Sequence, residues 1–219
     1  MRKYLRITLY LVLVAAFSAA TAGSYEDFFT AIKRDNASTV QDLLQRGFDP
    51  NTLSPQGVHG LLLAVQEPSL KVADVLVRWP RTNVESRTAK DESPLMLACL
   101  RGYLDLARKL IARDADVNKT GWAPLHYAAT NGHTEIMDLL LENHAYIDAE
   151  SPNGTTPLMM AAMYGSTAAV KLLLDAGADP TLRNQLGMTA IDFANKASRR
   201  EVAEMIAAVR RGKRPAGSW

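Results

Sequence analysis

A pattern of roughly 33 residues repeats along the chain and limits the folds that it can adopt. Residues 121–148 read G-W-A-P-L-H-Y-A-A-T-N-G-H-T-E-I-M-D-L-L-L-E-N-H-A-Y-I-D, and the same order of residue types returns from Gly154 to Asp179. Each copy holds two short apolar segments with helical spacing, separated by a turn and followed by a polar connector. A unit of this length cannot bury its apolar face alone, so neighbouring copies are expected to stack.

Six units can be counted from an anchor position, the one that holds Thr in Thr156-Pro157-Leu158. The six anchors are Glu26, His59, Ser93, Ala123, Thr156 and Thr189. An alanine follows five residues after every anchor, at Ala31, Ala64, Ala98, Ala128, Ala161 and Ala194. An unbroken column of alanine is expected where two helices pack too closely for a larger side chain.

The motif Thr156-Pro157-Leu158, with Gly177-Ala178-Asp179 later in the same unit, resembles the ankyrin repeat. The resemblance covers about residues 26–210. It implies an all-α ankyrin-repeat solenoid of about six helix-turn-helix units, including N- and C-terminal caps, joined by short β-hairpin-like loops. We therefore expect a repeat domain over residues 23–211 and a disordered tail over residues 212–219.

The first 22 residues have the composition of an export signal. Three cations precede a mostly apolar stretch at residues 7–17, and residues 20–22 read Ala-Thr-Ala. This order is typical of a leader that signal peptidase removes, and we expect cleavage after Ala22. The alternative is an uncleaved anchor, although the stretch is shorter than the roughly 20 residues of a membrane span. Because the only cysteine, Cys99, is far from this site, we expect no lipoprotein anchor and no stable membrane insertion after cleavage.

The leader cations Arg2, Lys3 and Arg6 account for the apparent basicity of the chain. The formal charge is +2 with these three residues and becomes −1 when they are removed. A chain without a basic field is a poor candidate for nucleic-acid binding, so no nucleic-acid partner is expected. The cations near the C-terminus are interpreted as a solvated helix end, where positive charge is favourable. They are Arg199, Arg200, Arg210, Arg211, Lys213 and Arg214.

The sequence contains no nucleophile elbow, phosphate-binding loop, Cys-x-x-Cys or His-x-x-x-His pair. We therefore predict no catalytic residue, no cofactor and no metal. Cys99 lies where the repeat needs a small buried residue, which predicts an unreactive core thiol. In ankyrin repeats, the histidines equivalent to His126 and His133 form hydrogen bonds within and between repeats, so the resemblance implies structural roles for both. The alternative chemical site is His144 with neighbouring acidic residues, as a ligand or metal site.

Two departures from the ankyrin pattern carry structural predictions. The glycine that ends the second helix is present as Gly47 and Gly177, but the equivalent residues elsewhere are Pro80, Asp114 and His144. Asp and His tolerate a positive φ whereas Pro does not, so the connector after the second unit should be rearranged. The step from the third anchor to the fourth is three residues short, which predicts a notch in the row of hairpin fingers.

In ankyrin repeats, partner contacts usually come from the residue before the anchor and from the residues four, seven and eight after it. These positions face a concave groove. From these positions in the third to fifth units we select ten candidate partner-binding residues. They are Leu97, Leu100, Arg101, Trp122, Tyr127, Thr130, Asn131, Met160, Met163 and Tyr164. Aromatic residues, Met and Arg are enriched in protein interfaces. For Leu97 and Leu100, packing against neighbouring first helices is the alternative.

These features predict a monomeric, non-catalytic module that is exported to the bacterial periplasm and binds another protein in the groove. One alternative is an envelope stress or protection factor that shields a specific client enzyme. Another is a secreted effector that engages host proteins, which would require passage beyond the periplasm. The repeat architecture by itself names no partner.

The position of the leader cleavage can be tested directly. Intact mass and N-terminal sequencing of the protein recovered from a periplasmic fraction should give a mature chain that begins at Gly23. A full-length chain that stays in the membrane fraction would show that the leader is instead an uncleaved anchor.

Overall fold

The computed structural model describes residues 23–212, and the side chains of residues 23–209. The predicted leader, residues 1–22, lies outside the described residues, as do residues 213–219 of the predicted tail. Contacts within the structure divide the chain between Thr88 and Ala89 into two compact units, called here the N-terminal and C-terminal units.

Within residues 23–212 the structure has twelve helices and almost no extended structure, so the all-α prediction is confirmed. The N-terminal unit contains α1 (residues 23–33), α2 (Ala37–Gln45), α3 (Gly60–Gln66) and α4 (Leu70–Arg78). The C-terminal unit contains α5 (Pro94–Arg101), α6 (Leu104–Ile111), α7 (Pro124–Asn131), α8 (Thr134–Glu142), α9 (Pro157–Met163), α10 (Thr167–Asp175), α11 (Ala190–Lys196) and α12 (Arg200–Gly212). Gly212 therefore belongs to the last helix rather than to a tail.

The first helix of each repeat in the C-terminal unit begins directly after an anchor residue. Ser93, Ala123, Thr156 and Thr189 are the N-caps of α5, α7, α9 and α11. The hydroxyl of Ser93 accepts a hydrogen bond from the N–H of Met96 at 3.2 Å, which satisfies one of the free donors at the helix start. In α5, α7 and α9 a proline follows the cap, where its fixed φ suits a helix start.

Helices in the C-terminal unit pack in two rows. The first helices α5, α7, α9 and α11 contact one another in chain order, and the second helices α6, α8, α10 and α12 do the same. The alanine column lies in the core of each unit, with exposed fractions between 0% and 4%. The members are Ala31, Ala64, Ala98, Ala128, Ala161 and Ala194. Their small side chains allow the close helix packing that the sequence predicted.

In the N-terminal unit, glycine and aromatic residues bring α1 and α3 together. A β-carbon placed on Gly60 would lie 2.8 Å from the ring of Phe28, so only glycine allows this approach. The Phe28 ring also packs against Phe48, with ring centroids 4.7 Å apart. Farther along, the Asp35 carboxylate accepts a hydrogen bond from the N–H of Val72 at 3.0 Å, which ties the first helix pair to the second.

The residues that end the second helices adopt the backbone conformation that the sequence predicted. The φ angles are 93° at Gly47, 61° at Asp114, 65° at His144 and 102° at Gly177. Pro80 does not take this conformation. The chain instead leaves α4 through Trp79, whose φ of −74° and ψ of 122° are extended, so the connector is rearranged as expected.

Three connectors form a tight hairpin finger, each closed by a backbone hydrogen bond. The bonds run from Ser54 N–H to Val58 O at 2.9 Å, from Ser151 N–H to Thr155 O at 3.0 Å, and from Asn184 N–H to Met188 O at 3.0 Å. The shortened connector, residues 117–122, ends instead in a bend at residues 120–122. The connector that is three residues shorter therefore forms a bend where the others form a hairpin finger.

Side chains that follow the turn inside a helix pair tie each repeat to the preceding one. The Nε2 atom of His133 lies 3.2 Å from the carbonyl oxygen of Leu100. At the equivalent position, Arg199 donates to the carbonyl oxygens of Ala161 and Ala162 at 2.8 and 3.0 Å. The interpretation of Arg199 as part of a solvated helix end is therefore wrong, because its guanidinium binds carbonyl groups near the C-terminal end of α9.

The His126 side chain binds backbone groups on both sides of the start of α7. The N-cap Ala123 has no side-chain acceptor, and its own N–H donates to Nδ1 of His126 at 3.1 Å. The opposite ring nitrogen, Nε2, therefore carries the proton and donates to the carbonyl oxygen of Thr155 at 2.9 Å. The structural role predicted for His126 is confirmed. Burial lowers the pKa of His126 below its ordinary value of 6.5, against the smaller opposing effect of these backbone hydrogen bonds.

This pKa shift predicts a pH-dependent stability that His126→Met should remove. In the unfolded chain the His126 imidazole binds a proton near pH 6.5, whereas in the folded protein it does so only at lower pH. The contribution of the neutral His126 to the free energy of unfolding is therefore fully present above pH 6.5 and is lost as the pH falls through the folded pKa. The slope cannot exceed about 1.4 kcal/mol per pH unit for one proton. Met is the matched replacement, because Met96 accepts the N–H of Ser93 at the same position of α5.

Denaturant unfolding of both proteins between pH 7 and pH 5 measures the difference. The other three histidines are common to both proteins and cancel. Parallel pH profiles would contradict a neutral, buried His126.

A second prediction separates backbone strain from close packing at the glycine turns. Gly132 and Gly187 have φ angles of 71° and 72°, but a β-carbon on Gly132 would lie 2.6 Å from the backbone nitrogen of Ser166, whereas Gly187 is open. Gly187→Ala should cost about 1–2 kcal/mol, the strain of a left-handed residue. Gly132→Ala should cost at least about 1 kcal/mol more, because the clash falls on backbone atoms. Equal losses in chemical denaturation would show that the turn is not a packing contact.

Candidate protein-binding site

Five of the ten sequence-predicted binding residues line one cavity on the face formed by α5, α7 and α9. The cavity has a volume of about 240 Å³ and is called here the α7 cavity. Its lining residues are Leu100, Trp122, His126, Tyr127, Thr130 and Met160. Except for the buried His126, these side chains are half-buried, so the cavity opens on a surface rather than inside the core.

Trp122 forms one wall of the α7 cavity and is placed there by the shortened connector. It is the last residue of the bend at residues 120–122 and precedes the N-cap Ala123. Its ring meets the His126 ring edge to face, with the centroids 5.2 Å apart. Because both ring nitrogens of His126 are bound to backbone groups, this contact gives Trp122 a fixed support.

Tyr127 forms a second wall and carries the polar edge of the cavity. Its hydroxyl is hydrogen-bonded to the carboxylate of Glu92, the residue before the N-cap of α5. Burial raises the pKa of Tyr127 to about 12, and the negative charges of Glu92 and Asp91 act in the same direction. Tyr127 therefore stays neutral and acts as a hydrogen-bond donor to Glu92.

Thr130 and Asn131 connect the cavity to the helix backbones around it. The Thr130 hydroxyl donates to the carbonyl oxygen of His126 at 2.7 Å. The Asn131 amide donates to the carbonyl oxygen of Leu100 at 2.6 Å, so α7 is bound to the neighbouring α5 at its C-terminal end. Asn131 remains exposed, but its amide nitrogen serves a structural bond.

The remaining predicted residues have different environments. Leu97 is only 6% exposed, so it packs in the core and is excluded from the surface, as the alternative for this residue allowed. Arg101 is exposed at the end of α5, and Met163 is half-buried on α9. Tyr164 is 60% exposed at the C-cap of α9. These last three residues lie on α5 and at the end of α9 and do not line the α7 cavity.

A second, larger cavity in the N-terminal unit was missed by the sequence reasoning. It has a volume of about 630 Å³ and lies between α1, α3 and the finger at residues 54–58. Its lining includes Tyr25, Thr30, Lys33, Val58, Leu63, Gln66 and Glu67. These are seven of the eight residues that stand before, four after, seven after and eight after the anchors Glu26 and His59; the eighth, Arg34, is not part of the lining. The positional rule used for the third to fifth units would have found the cavity, but its more polar composition drew no attention.

Within residues 23–212, the structure lends no support to cysteine or metal chemistry. Cys99 is fully buried, and burial raises the pKa of its thiol well above the ordinary value, as expected for a core residue. Among residues 23–212, no group of three or more His, Cys, Asp or Glu side chains could hold a metal ion, so the alternative site at His144 gains no support. Over the same residues, no helix combines the length and apolar character of a membrane span.

Comparison with known proteins identifies the repeat. A family model described as ankyrin repeats matches residues 28–120, 61–151 and 144–214. The chain is 32% identical over 161 residues to the nuclear factor NF-kappa-B p105 subunit of Gallus gallus, which covers 70% of this chain and 16% of that protein. It is 36% identical over 121 residues to ankyrin repeat and SAM domain-containing protein 6 of Mus musculus, which covers 52% of this chain and 14% of that protein.

A bacterial relative matches almost end to end. The ankyrin repeat protein YahD of Escherichia coli strain K12 is 28% identical over 193 residues, which covers 83% of this chain and 94% of that protein. By contrast, the chain spans less than a fifth of the two vertebrate relatives. The repeat spacing, the helix-turn-helix pairs and the family match agree. The chain belongs to the ankyrin-repeat family.

Proposed function

We propose that this chain is an exported, non-catalytic module whose protein partner docks on the α5–α7–α9 face, over the α7 cavity. Ankyrin repeats generally mediate protein–protein interactions and are generally not catalytic. The particular face and the place of action are the parts that we add. The family match gives the class of function but leaves the contact residues open.

The α7 cavity is the observation that carries the proposal. The cavity is an apolar depression of about 240 Å³ at the surface, bordered by Trp122, Tyr127 and Met160. Apolar side chains in a folded protein normally pack against one another and leave no such space. Apolar depressions walled by aromatic side chains are the places where a few partner residues contribute most of the binding energy.

Polar and exposed residues around the cavity complete an interface. Arg101 and Asn131 are exposed at the C-terminal ends of α5 and α7, and Tyr164 is exposed at the end of α9. A polar rim around an apolar centre is the usual arrangement in protein interfaces. A stable complex of standard size would bury about 1,600 Å² in total.

The place of action follows from the leader. A positively charged start, an apolar stretch and a small-residue cleavage motif are the features of an export signal in residues 1–22. We therefore place the partner in the bacterial periplasm.

Replacing Trp122 and Tyr164 together by Ala should abolish partner capture while the protein still folds. Both side chains are at least partly exposed, and Tyr164 is 60% exposed, so the melting temperature should fall by only a few degrees. The measurement is affinity capture from a periplasmic extract with the mature protein as bait, followed by mass spectrometry and thermal unfolding of each bait.

The matched control is the double variant Tyr146→Ala and Leu186→Ala. These residues are 68% and 78% exposed and do not line the α7 cavity, so this variant also loses two exposed apolar side chains. It should capture the same partner as the unchanged protein. Equal capture by both double variants would rule out the α5–α7–α9 face as the docking surface.

A further inference from the structure

The larger cavity between α1 and α3 has the size of a ligand site and is called here the N-terminal cavity. Its volume is about 630 Å³, and ligand pockets usually measure about 300–1,000 Å³. All of its lining residues belong to the N-terminal unit, so the site is complete within that unit. Its apolar surface includes the buried Phe29 and the half-buried Val58 and Leu63.

The polar side chains of this lining are free to bind a ligand. Six of them, considered among the side chains of residues 23–209, form no hydrogen bond or ion pair. They are Glu26, Thr30, Lys33, Gln56, Gln66 and Glu67. In the α7 cavity, by contrast, the polar groups of His126 and Thr130 are already bound to backbone groups. Free polar groups can replace the hydrogen bonds to water that a polar ligand loses, so the N-terminal cavity suits a polar ligand.

The neutral polar groups match the backbone of a polypeptide. The amides of Gln56 and Gln66 each offer donors and an acceptor, and the hydroxyl of Thr30 both donates and accepts. These groups come from the finger, from the end of α3 and from α1, respectively. An extended segment carries one N–H and one C=O per residue, and both need partners when the segment is covered. Amides and a hydroxyl distributed around the cavity can supply those partners.

The charged groups favour a ligand that carries a cation. The lining holds two carboxylates, Glu26 and Glu67, and one ammonium group, Lys33, so its net charge is −1. Lys33 and Glu67 lie at the C-terminal ends of α1 and α3 and carry opposite charges. Glu26 lies seven residues before Lys33, on the same side of α1 and about 10 Å away along the helix axis. The charge near the start of α1 is therefore negative and complementary to a cation.

Tyr25 supplies an aromatic wall beside Glu26. Its hydroxyl donates to the carbonyl oxygen of Leu53 at 3.0 Å, and its ring meets the Phe29 ring edge to face with the centroids 5.0 Å apart. These contacts hold the Tyr25 ring in place although it is only half-buried. A Lys or Arg side chain can lay its apolar stem along such a ring while its charged end reaches a carboxylate.

We infer that the N-terminal cavity binds an extended segment of a protein, and that a Lys or Arg of this segment packs on Tyr25 and pairs with Glu26. About three residues of extended chain cover the distance from Glu26 to Lys33. This inference goes beyond the proposed function, because the N-terminal cavity shares no lining residue with the α7 cavity.

The experiment begins with a selection of random peptides displayed on phage, with the mature protein immobilised as bait. Enriched peptides are then titrated against Gln66→Trp, which places a larger side chain in the N-terminal cavity. Peptides that carry a Lys or Arg and no longer bind this variant are expected. Gln45→Trp is the matched control, because Gln45 is an exposed residue at a helix end of the same unit and outside the lining. It should leave binding unchanged, and thermal unfolding verifies that both variants fold.

A double-mutant cycle tests the ion pair. Replacing the basic residue of such a peptide by Gln should weaken binding to the unchanged protein by about three- to fivefold, the upper part of the range for exposed ion pairs. Glu26→Gln should bind the two peptides equally. Asp27→Asn removes the same charge from the neighbouring exposed residue, which does not line the cavity, and should keep the full preference for the basic peptide.

Several outcomes would overturn the inference. One is a selection in which no peptide is lost on Gln66→Trp, and another is a preference for the basic residue that Glu26→Gln leaves unchanged. Free lysine that binds as tightly as the selected peptide would assign the cavity to a small molecule. Self-association that Gln66→Trp abolishes would assign it to a second copy of the chain. Peptides that all depend on Trp122 and not on Gln66 would overturn this inference while supporting the proposed function.

Discussion

The close approach of neighbouring first helices is the constraint on which the C-terminal unit depends. Ala98, Ala128 and Ala161 are fully buried where α5, α7 and α9 meet. The turn beside them leaves as little room, since a β-carbon on Gly165 would overlap the carbonyl oxygen of Ala129. Two helices that meet at alanine and glycine bring their backbones together, and side chains from one repeat can then reach the carbonyl groups of a neighbouring repeat. The bonds from His126 to Thr155 and from Arg199 to Ala161 are examples.

That geometry also creates the surface for binding. Because small residues seal α7 against its neighbours, larger residues on the same helix are not required for the core. Leu125, Ala128 and Ala129 are fully buried, whereas Tyr127 and Thr130 remain partly exposed on the face of the α7 cavity. The same packing that holds the repeats together therefore leaves a row of positions whose side chains can change without loss of the fold. This division between core positions and surface positions explains how proteins of one architecture bind many different partners.

The parts of the structure that the sequence predicted are those that depend on local chemistry. Helix starts follow from Thr or Ser before Pro, and Asp114 and His144 take a positive φ because the chain must turn there whatever the residue. Whether an apolar side chain on the groove face is buried depends instead on the sizes of the side chains that neighbouring repeats place against it. Leu97, Tyr127 and Met160 hold the same position in three repeats, yet Leu97 is buried and the other two are half-buried.

Two further errors have different causes. Arg199 was assigned to solvent from the charge of its neighbours, but its long side chain reaches back to α9. The cavity of the N-terminal unit was missed because Lys33, Gln66 and Glu67 are polar, although they hold the repeat positions that predicted the groove in later units and border a depression of about 630 Å³.

The shortened connector links the fold to the candidate site. In the three complete fingers, the residue before the anchor accepts a hairpin hydrogen bond through its carbonyl oxygen, and one of these residues, Thr155, is only 2% exposed. Trp122 holds the same position after a connector that is three residues shorter and bends instead of forming a hairpin. Its ring then packs against His126, whose nitrogens are bound to Ala123 and Thr155. The loss of three residues thus exchanges a backbone bond for an aromatic contact and turns a hairpin position into the wall of a cavity.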